Sequence, residues 1–138
     1  MNEEYPHAAA GFLYNAEKKS ILLHHRDGLT EHDPHRWAFF IGHCKNGETP
    51  SDCFTRVLKE GIGITIVPTD AKLLCEYLNE DLLAYRHVFY LERYIPVEEL
   101  VLGEGAGFAW VPFEQVLALD LTEKTRRDIK FFLEKLNS

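Results

Sequence analysis

Between Gly42 and Ile64 the chain fixes a set of spacings that few folds can accommodate. A glycine is followed by five residues, Glu48, seven residues and Arg56, and then by Val57-Leu58-Lys59-Glu60-Gly61-Ile62-Gly63-Ile64. The middle of this segment carries helix signals of its own. Thr49 suits an N-cap, Pro50 suits the first helical position, where its missing N–H is no loss, and Asp52 completes a capping-box-like pair. Gly61 and Gly63 supply the stop, so Pro50 to Glu60 is predicted as a helix of about three turns.

Around that helix, strand-like and helix-like stretches alternate with short turns. Ala8 to Tyr14 is small and apolar; Asn15 to Lys19 is a polar turn; Ser20 to Arg26 contains Ile21-Leu22-Leu23, which suits a buried strand, and the whole reads as a hairpin. Asp27 to Arg36, with Gly28 and Pro34, is a polar loop before a strand at Trp37 to Ile41. Further strands are predicted at Lys72 to Leu78, Leu83 to Tyr94 and Phe108 to Val111. Leu121 to Asn137 reads as a helix, because Ile129, Phe132, Leu133 and Leu136 recur at i, i+3, i+4 and i+7. Its apolar stripe requires a sheet to cover. Mixed strands with two or three helices indicate an α/β or α+β layered architecture.

Composition narrows the class. With 138 residues, 46% hydrophobic and 12% aromatic, residues 1–138 are expected to form one domain able to bury a core. The start is acidic, with no basic region leading into an apolar run, and no stretch reaches the eighteen or so apolar residues of a membrane helix. Cys44, Cys53 and Cys75 are odd in number and not in C-x-x-C spacing, which argues against a disulfide framework or zinc knuckle and fits a reducing cytoplasm. The net charge of −7 disfavours extended nucleic-acid binding. A polyphosphate ligand therefore needs a local basic pocket.

The Gly42 to Ile64 segment resembles the box of the Nudix hydrolases, G-x5-E-x7-R-E-U-x-E-E-x-G-U, where U is aliphatic. Seven of nine specified positions match, and the misses are Val57 and Gly61, where the family has glutamates. The resemblance implies an α/β/α sandwich with a mixed sheet, and the element order agrees from about Ala8 to Leu136. Phe39-Phe40-Ile41-Gly42-His43 is similar to the L-F-G-G-H run of one subgroup. In the family, three carboxylates at i, i+3 and i+4 emerge on one helix face and converge on Mg²⁺, a hard cation that prefers oxygen ligands. Here those positions are Val57, Glu60 and Gly61.

The resemblance implies roles for individual residues. Glu48 and Arg56 are expected to form an ion pair bracing the loop against the helix. Glu60 is the surviving metal ligand and catalytic carboxylate; its ordinary alternative is an i, i+4 surface pair with Arg56. The Gly42 carbonyl is expected beside the metal, and Glu104, between Gly103 and Gly105, is the further acidic ligand. Arg26, Gly42 and His43 are the substrate-side candidates. For Trp37, core packing is the preferred reading. His24, His25, His32, His35 and His43 crowd one stretch without recognisable zinc spacing, so a polar loop is their simplest setting.

The expected function is therefore hydrolysis of a phosphoanhydride in a nucleoside diphosphate linked to another group, with Mg²⁺ or Mn²⁺ as cofactor and activity weakened by Val57 and Gly61. The alternative is a Nudix-like module that binds a nucleotide or phosphometabolite without turnover. An isopentenyl-diphosphate-isomerase-like activity is disfavoured, because Ile41 stands where that family's Cys-Gly-His run has its cysteine. Oligomeric state is left open, a homodimer included.

Overall fold

The computed structural model describes residues 5–29, 33–103 and 105–137. Its elements are β1 (His7–Asn15), β2 (Ser20–His25), β3 (Trp37–Ala38), β4 (Phe40–His43), α1 (Pro50–Ile62), β5 (Lys72–Asn79), β6 (Ala84–Glu92), β7 (Gly107–Pro112), α2 (Phe113–Val116) and α3 (Glu123–Leu136).

Strand β1 is the hub of a mixed seven-stranded sheet. One edge of β1 pairs in parallel with β6, which in turn pairs antiparallel with β5. The other edge is shared: Ala8 to Gly11 pair with β4, and Leu13 to Asn15 pair with β2. Beyond β2 lies β7, antiparallel along Ser20 to His25, while β3 joins the end of β2 at His24 and His25.

Alternation along β1 explains the layering. Ala9 and Leu13 point to one face, where Phe54, Val57, Leu58 and Ile62 of α1 bury themselves. Ala10 and Phe12 point to the other, against Ile129 and Phe132 of α3. Each face excludes water, and a fully buried Phe or Leu contributes about 1.5–3 kcal/mol. Gly11 sits where α1 comes closest: a Cβ there would overlap the Phe89 carbonyl and approach Phe54 Cε1 to 2.7 Å. The expected α/β/α sandwich is therefore present, built on a mixed sheet. Among the described residues, no helix is long and apolar enough to cross a membrane.

The structure amends several details. The predicted Trp37 to Ile41 strand breaks at Phe39 into β3 and β4, because its two halves pair with different strands. Helix α1 continues past Glu60 to Ile62; Thr49 Oγ1 accepts from the Asp52 N–H as expected, but Gly61 lies inside the helix. Gly63 alone makes the stop, in the left-handed region at φ 74°, and its N–H donates to the Lys59 carbonyl. The short helix α2 was not predicted. At the end of α3, Leu136 is exposed, so the buried stripe is Ile129 and Phe132 with Leu133 partly covered. Trp37 packs as expected, stacked on His25 with centroids 4.5 Å apart and against the core on the α3 side.

Candidate active site

The box helix meets the sheet at a cavity of about 420 Å³. Strand β2 and the residues after it contribute His24, Arg26 and Asp27; β4 contributes Phe40, Ile41 and Gly42; α1 contributes Arg56, Val57, Glu60 and Gly61; Gly103 and Gly105 close the far side.

Arg56 organises the α1 wall. Its Nε donates to Glu48 Oε2 and its Nη2 to Glu48 Oε1, both at 2.9 Å, a bidentate fork. Nη2 also donates to the His43 carbonyl at 2.8 Å, and Nη1 donates to Glu60 Oε2 at 3.2 Å. The Lys45 N–H adds a second donor to Glu48 at 3.0 Å. Hydrogen bonds from Arg56, then from Lys45, hold the Glu48 carboxyl down at about 2, and Glu48 in turn raises the Arg56 guanidinium. The pair is largely sheltered, with side chains 15% and 23% exposed. The pair ties the Gly42 to Glu48 loop onto the helix.

The positions of the altered carboxylates are explicit. Val57 is buried, and its Cγ2 lies 2.7 Å from where a Cβ on Gly42 would stand, so a methyl group covers the Gly42 backbone. Gly61 is helical, and a Cβ there would meet only Phe40 Cδ1 at 3.6 Å. Glu60 lines the cavity and is also paired with Arg56, its side chain 61% exposed. The i, i+4 pair with Arg56 is thus formed by a side chain that also lines the cavity. The Gly42 carbonyl faces the buried Cys53 thiol at 3.6 Å; burial pushes that thiol up to about 12.

The far wall depends on two glycines. Gly103 N–H donates to the Gly61 carbonyl at 2.9 Å and Val101 N–H to the Ile62 carbonyl at 3.0 Å. A Cβ on Gly103 would overlap the Glu60 carbonyl. Gly105, at φ 87°, leaves room for the His24 imidazole, which a side chain there would displace. Glu104 and His32 lie outside the described residues.

Of the substrate-side candidates, Arg26 and Gly42 line the cavity, whereas His43 is exposed and reaches the site through its carbonyl. Asp52 is also exposed and off the cavity wall. Sequence reasoning missed two wall residues, His24 and Asp27. Period-two alternation was the available signal for His24, since Leu22, His24 and Arg26 share one face of β2 and Leu22 belongs to the α1-side core.

For a divalent ion, α1 offers the Glu60 carboxylate, whereas the Gly42 carbonyl, expected beside the metal, accepts from the buried Cys53 thiol. Among the described residues, no group of three or more His, Cys, Asp or Glu could hold a metal ion. The Glu60 carboxylate would suit an ion that brings most of its shell as water and ligand phosphates, as Mg²⁺ commonly does.

Comparison with known proteins agrees with this geometry. The model of the NUDIX domain matches residues 4–133. A MutT protein from Methanosarcina mazei Go1 superposes with a TM-score of 0.81 at 18% identity, covering 97% of this chain and 96% of that one. The dihydroneopterin triphosphate pyrophosphohydrolase of E. coli gives 0.71 at 20% identity, over 97% and 99%. The NUDIX domain of Shewanella oneidensis NrtR, solved with ADP ribose, gives 0.74 at 17% identity, over 96% and 87%.

Proposed function

Because this chain belongs to the NUDIX domain family, we propose that it is a pyrophosphohydrolase acting on a nucleoside diphosphate linked to another group. The observation that carries this reading is the intact brace, which keeps Glu60 and Gly42 on the wall of a cavity that Arg26 also lines. The relatives solved with ADP ribose or named for a triphosphate substrate support the ligand class.

In this reading Arg26 holds a phosphate, and the brace fixes the loop so that Gly42 and Glu60 face the reacting phosphorus together. Water adds to that phosphorus, the bridging oxygen leaves with the bonding pair, and the Glu60 carboxylate takes the water's proton. When bound, Mg²⁺ or Mn²⁺ supplies charge neutralisation at the phosphates. Loss of one preorganised stabilising group typically costs about 10² to 10³ in rate, and two family carboxylates are replaced here, so turnover is slow. The cysteine pattern supports a cytoplasmic setting, and the length and hydrophobic content support residues 1–138 as one domain.

One observation favours a second reading. Arg56 already neutralises Glu60, and Val57 puts a methyl group over the Gly42 backbone, as suits a module that binds nucleotides without cleaving them. A turnover screen of nucleotide derivatives with Mg²⁺ and Mn²⁺, read by chromatography of products, separates the two. Product formation that Glu60→Gln removes supports the hydrolase. Binding with no product on any derivative supports the module.

A further inference from the structure

We infer that Cys44 and Cys53 form a reversible disulfide between the Gly42 to Glu48 loop and α1, made by exchange with a low-molecular-weight disulfide. The inference stands apart from the chemistry proposed for the cavity and holds for either reading of it.

The pleat of the sheet brings the two thiols together. Cys44 follows the last residue of β4, and its N–H donates to the His7 carbonyl at 2.8 Å, so the chain is still paired with β1 there. Side chains two apart share one face of a strand. Gly42 lies against α1, its backbone covered by Val57. Cys44 therefore leaves the sheet on the α1 side, where it packs on the apolar cluster that contains Cys53. Cys53 stands near the start of α1, fully buried, with its Sγ 3.6 Å from the Gly42 carbonyl. Hydrogen bonding links the two thiols to each other. Cys75, the third free cysteine, packs on the opposite face of the sheet beside Asp128, so one pairing within the chain is available.

The chemistry is a double exchange. The partly exposed Cys44 attacks a small disulfide such as oxidised glutathione; its sulfur bonds to one glutathione sulfur, and the other leaves with the bonding pair and takes the proton. Cys53 then attacks the Cys44 sulfur, and the second glutathione leaves in the same way. Two protein thiols are oxidised, and one glutathione disulfide is reduced to two thiols. Burial raises both protein thiols, that of Cys53 to about 12, so the exchange is slow at neutral pH. Oxidation removes the Cys53 proton that the Gly42 carbonyl accepts. The new bond also lies beside Arg56, whose Nη2 is 3.7 Å from Cys53 Sγ, and so duplicates the Glu48–Arg56 pair as a link between loop and helix.

Mass spectrometry of the full chain in glutathione buffers of rising oxidised fraction tests this. Trypsin cuts after Lys45, so Cys44 and Cys53 fall in separate peptides that only a disulfide can join. The oxidised chain should yield those two peptides linked, with Cys75 still open to alkylation after unfolding, and a thiol reductant should separate them. Its melting temperature should rise by roughly 5–10 °C over the reduced chain, because closing a short loop restricts the unfolded state. In Glu48→Gln, oxidation should recover most of the melting temperature that the substitution costs. Cys44→Ser, at the partly exposed position, should abolish both linkage and stabilisation, whereas Cys75→Ser should leave both intact. Absence of linkage at every glutathione ratio, glutathione left on Cys44 alone, or linkage through Cys75 overturns the pairing. A linked chain that melts no higher than the reduced one overturns the tie between loop and helix.

Discussion

Placing glutamates at the two altered box positions should make the melting of this protein respond to a divalent ion. The double change Val57→Glu with Gly61→Glu places glutamates at i, i+3 and i+4 with Glu60, whose Cβ atoms then lie roughly 6 Å apart on one helix face. Two unit charges at that distance repel by about 0.7 kcal/mol in water and about 3 kcal/mol at an effective dielectric of 20. Three pairs sum to roughly 2–8 kcal/mol, the low end applying here because Glu60 is largely exposed and Arg56 is adjacent. At ~3 °C per kcal/mol for a chain of this size, the double variant should melt at least about 6 °C lower than the natural chain in chelator. Burial of Val57 adds to the loss, since part of a valine side chain leaves the core. Gly61 adds little, being helical with a Cβ that would make only an ordinary contact with Phe40 Cδ1 at 3.6 Å. Saturating Mn²⁺ should return about 2.7 kcal/mol when present at a hundredfold excess over Kd, whereas the natural chain should melt at one temperature with or without chelator. Scanning calorimetry in both buffers, paired with the turnover screen, reads both effects. A folded double variant whose melting ignores Mn²⁺ would refute the geometry, because the three carboxylates would not be converging. A metal-responsive variant with no gain in hydrolysis would favour the binding module.

Glu60→Gln should abolish turnover and change stability by no more than about 0.5 kcal/mol, since an exposed i, i+4 pair contributes only that much; a lowered melting point with turnover intact would make Glu60 a mere partner of Arg56. Glu48→Gln should instead lower the melting point at neutral pH. Because the folded Glu48 carboxyl is depressed from its usual 4.5 to about 2, its stabilisation is fully present above pH 4.5 and is lost as pH falls through about 2. The stability difference between the natural chain and Glu48→Gln should therefore shrink across that window, and a constant offset in acid titrations by calorimetry would contradict the ion-pair account. Asp128→Ala should cost about 3–5 kcal/mol in chemical denaturation, because Asp128 is 1% exposed, accepts from Arg86 Nε at 2.9 Å and Tyr77 Oη at 2.8 Å, and leaves a buried guanidinium behind. A cost below about 1 kcal/mol would mean that water reaches Arg86.

Legibility in the sequence followed the range of the forces involved. Thr49, Pro50 and Asp52 announced α1 because capping is decided within one turn, and Thr49 Oγ1 does accept the Asp52 N–H. Gly61 and Gly63 looked alike in sequence, yet only Gly63 adopts positive φ. The difference lies in where the helix meets the segment of Val101 and Gly103, which donates to the Ile62 and Gly61 carbonyls from forty residues away. Phe39 could not be read as a break because the break comes from β1, whose edge is divided between β4 and β2. The pairing of Glu48 with Arg56 came from the family resemblance and not from spacing alone, and the two side chains meet at 2.9 Å. His24 was hidden among five histidines, and only alternation along β2 sets it apart. Its neighbour His25 turns to the opposite face and stacks on Trp37.

The residues that hold this fold and the residues proposed to carry out its chemistry are largely separate sets. Phe54, Leu58 and Ile62 bury the inner face of α1, Thr49 and Gly63 end it, and Glu48 with Arg56 ties it to the loop; none of these depends on a carboxylate at 57 or 61. Replacing those carboxylates removed repulsion from one helix face and left the packing intact. The Val57 substitution also extends the apolar surface that α1 buries. The two non-matching positions therefore say nothing against the fold and everything about the ion, which is why a segment can match a family closely and still pose its functional question at two side chains. Arg56 connects the sets. Anchored by a sheltered bidentate pair on one side and touching an exposed carboxylate on the other, it keeps its position whether or not Glu60 is engaged elsewhere. In the proposed reading, an ion that replaced Arg56 beside Glu60 would cost only a few tenths of a kcal/mol, the worth of an exposed i, i+4 pair.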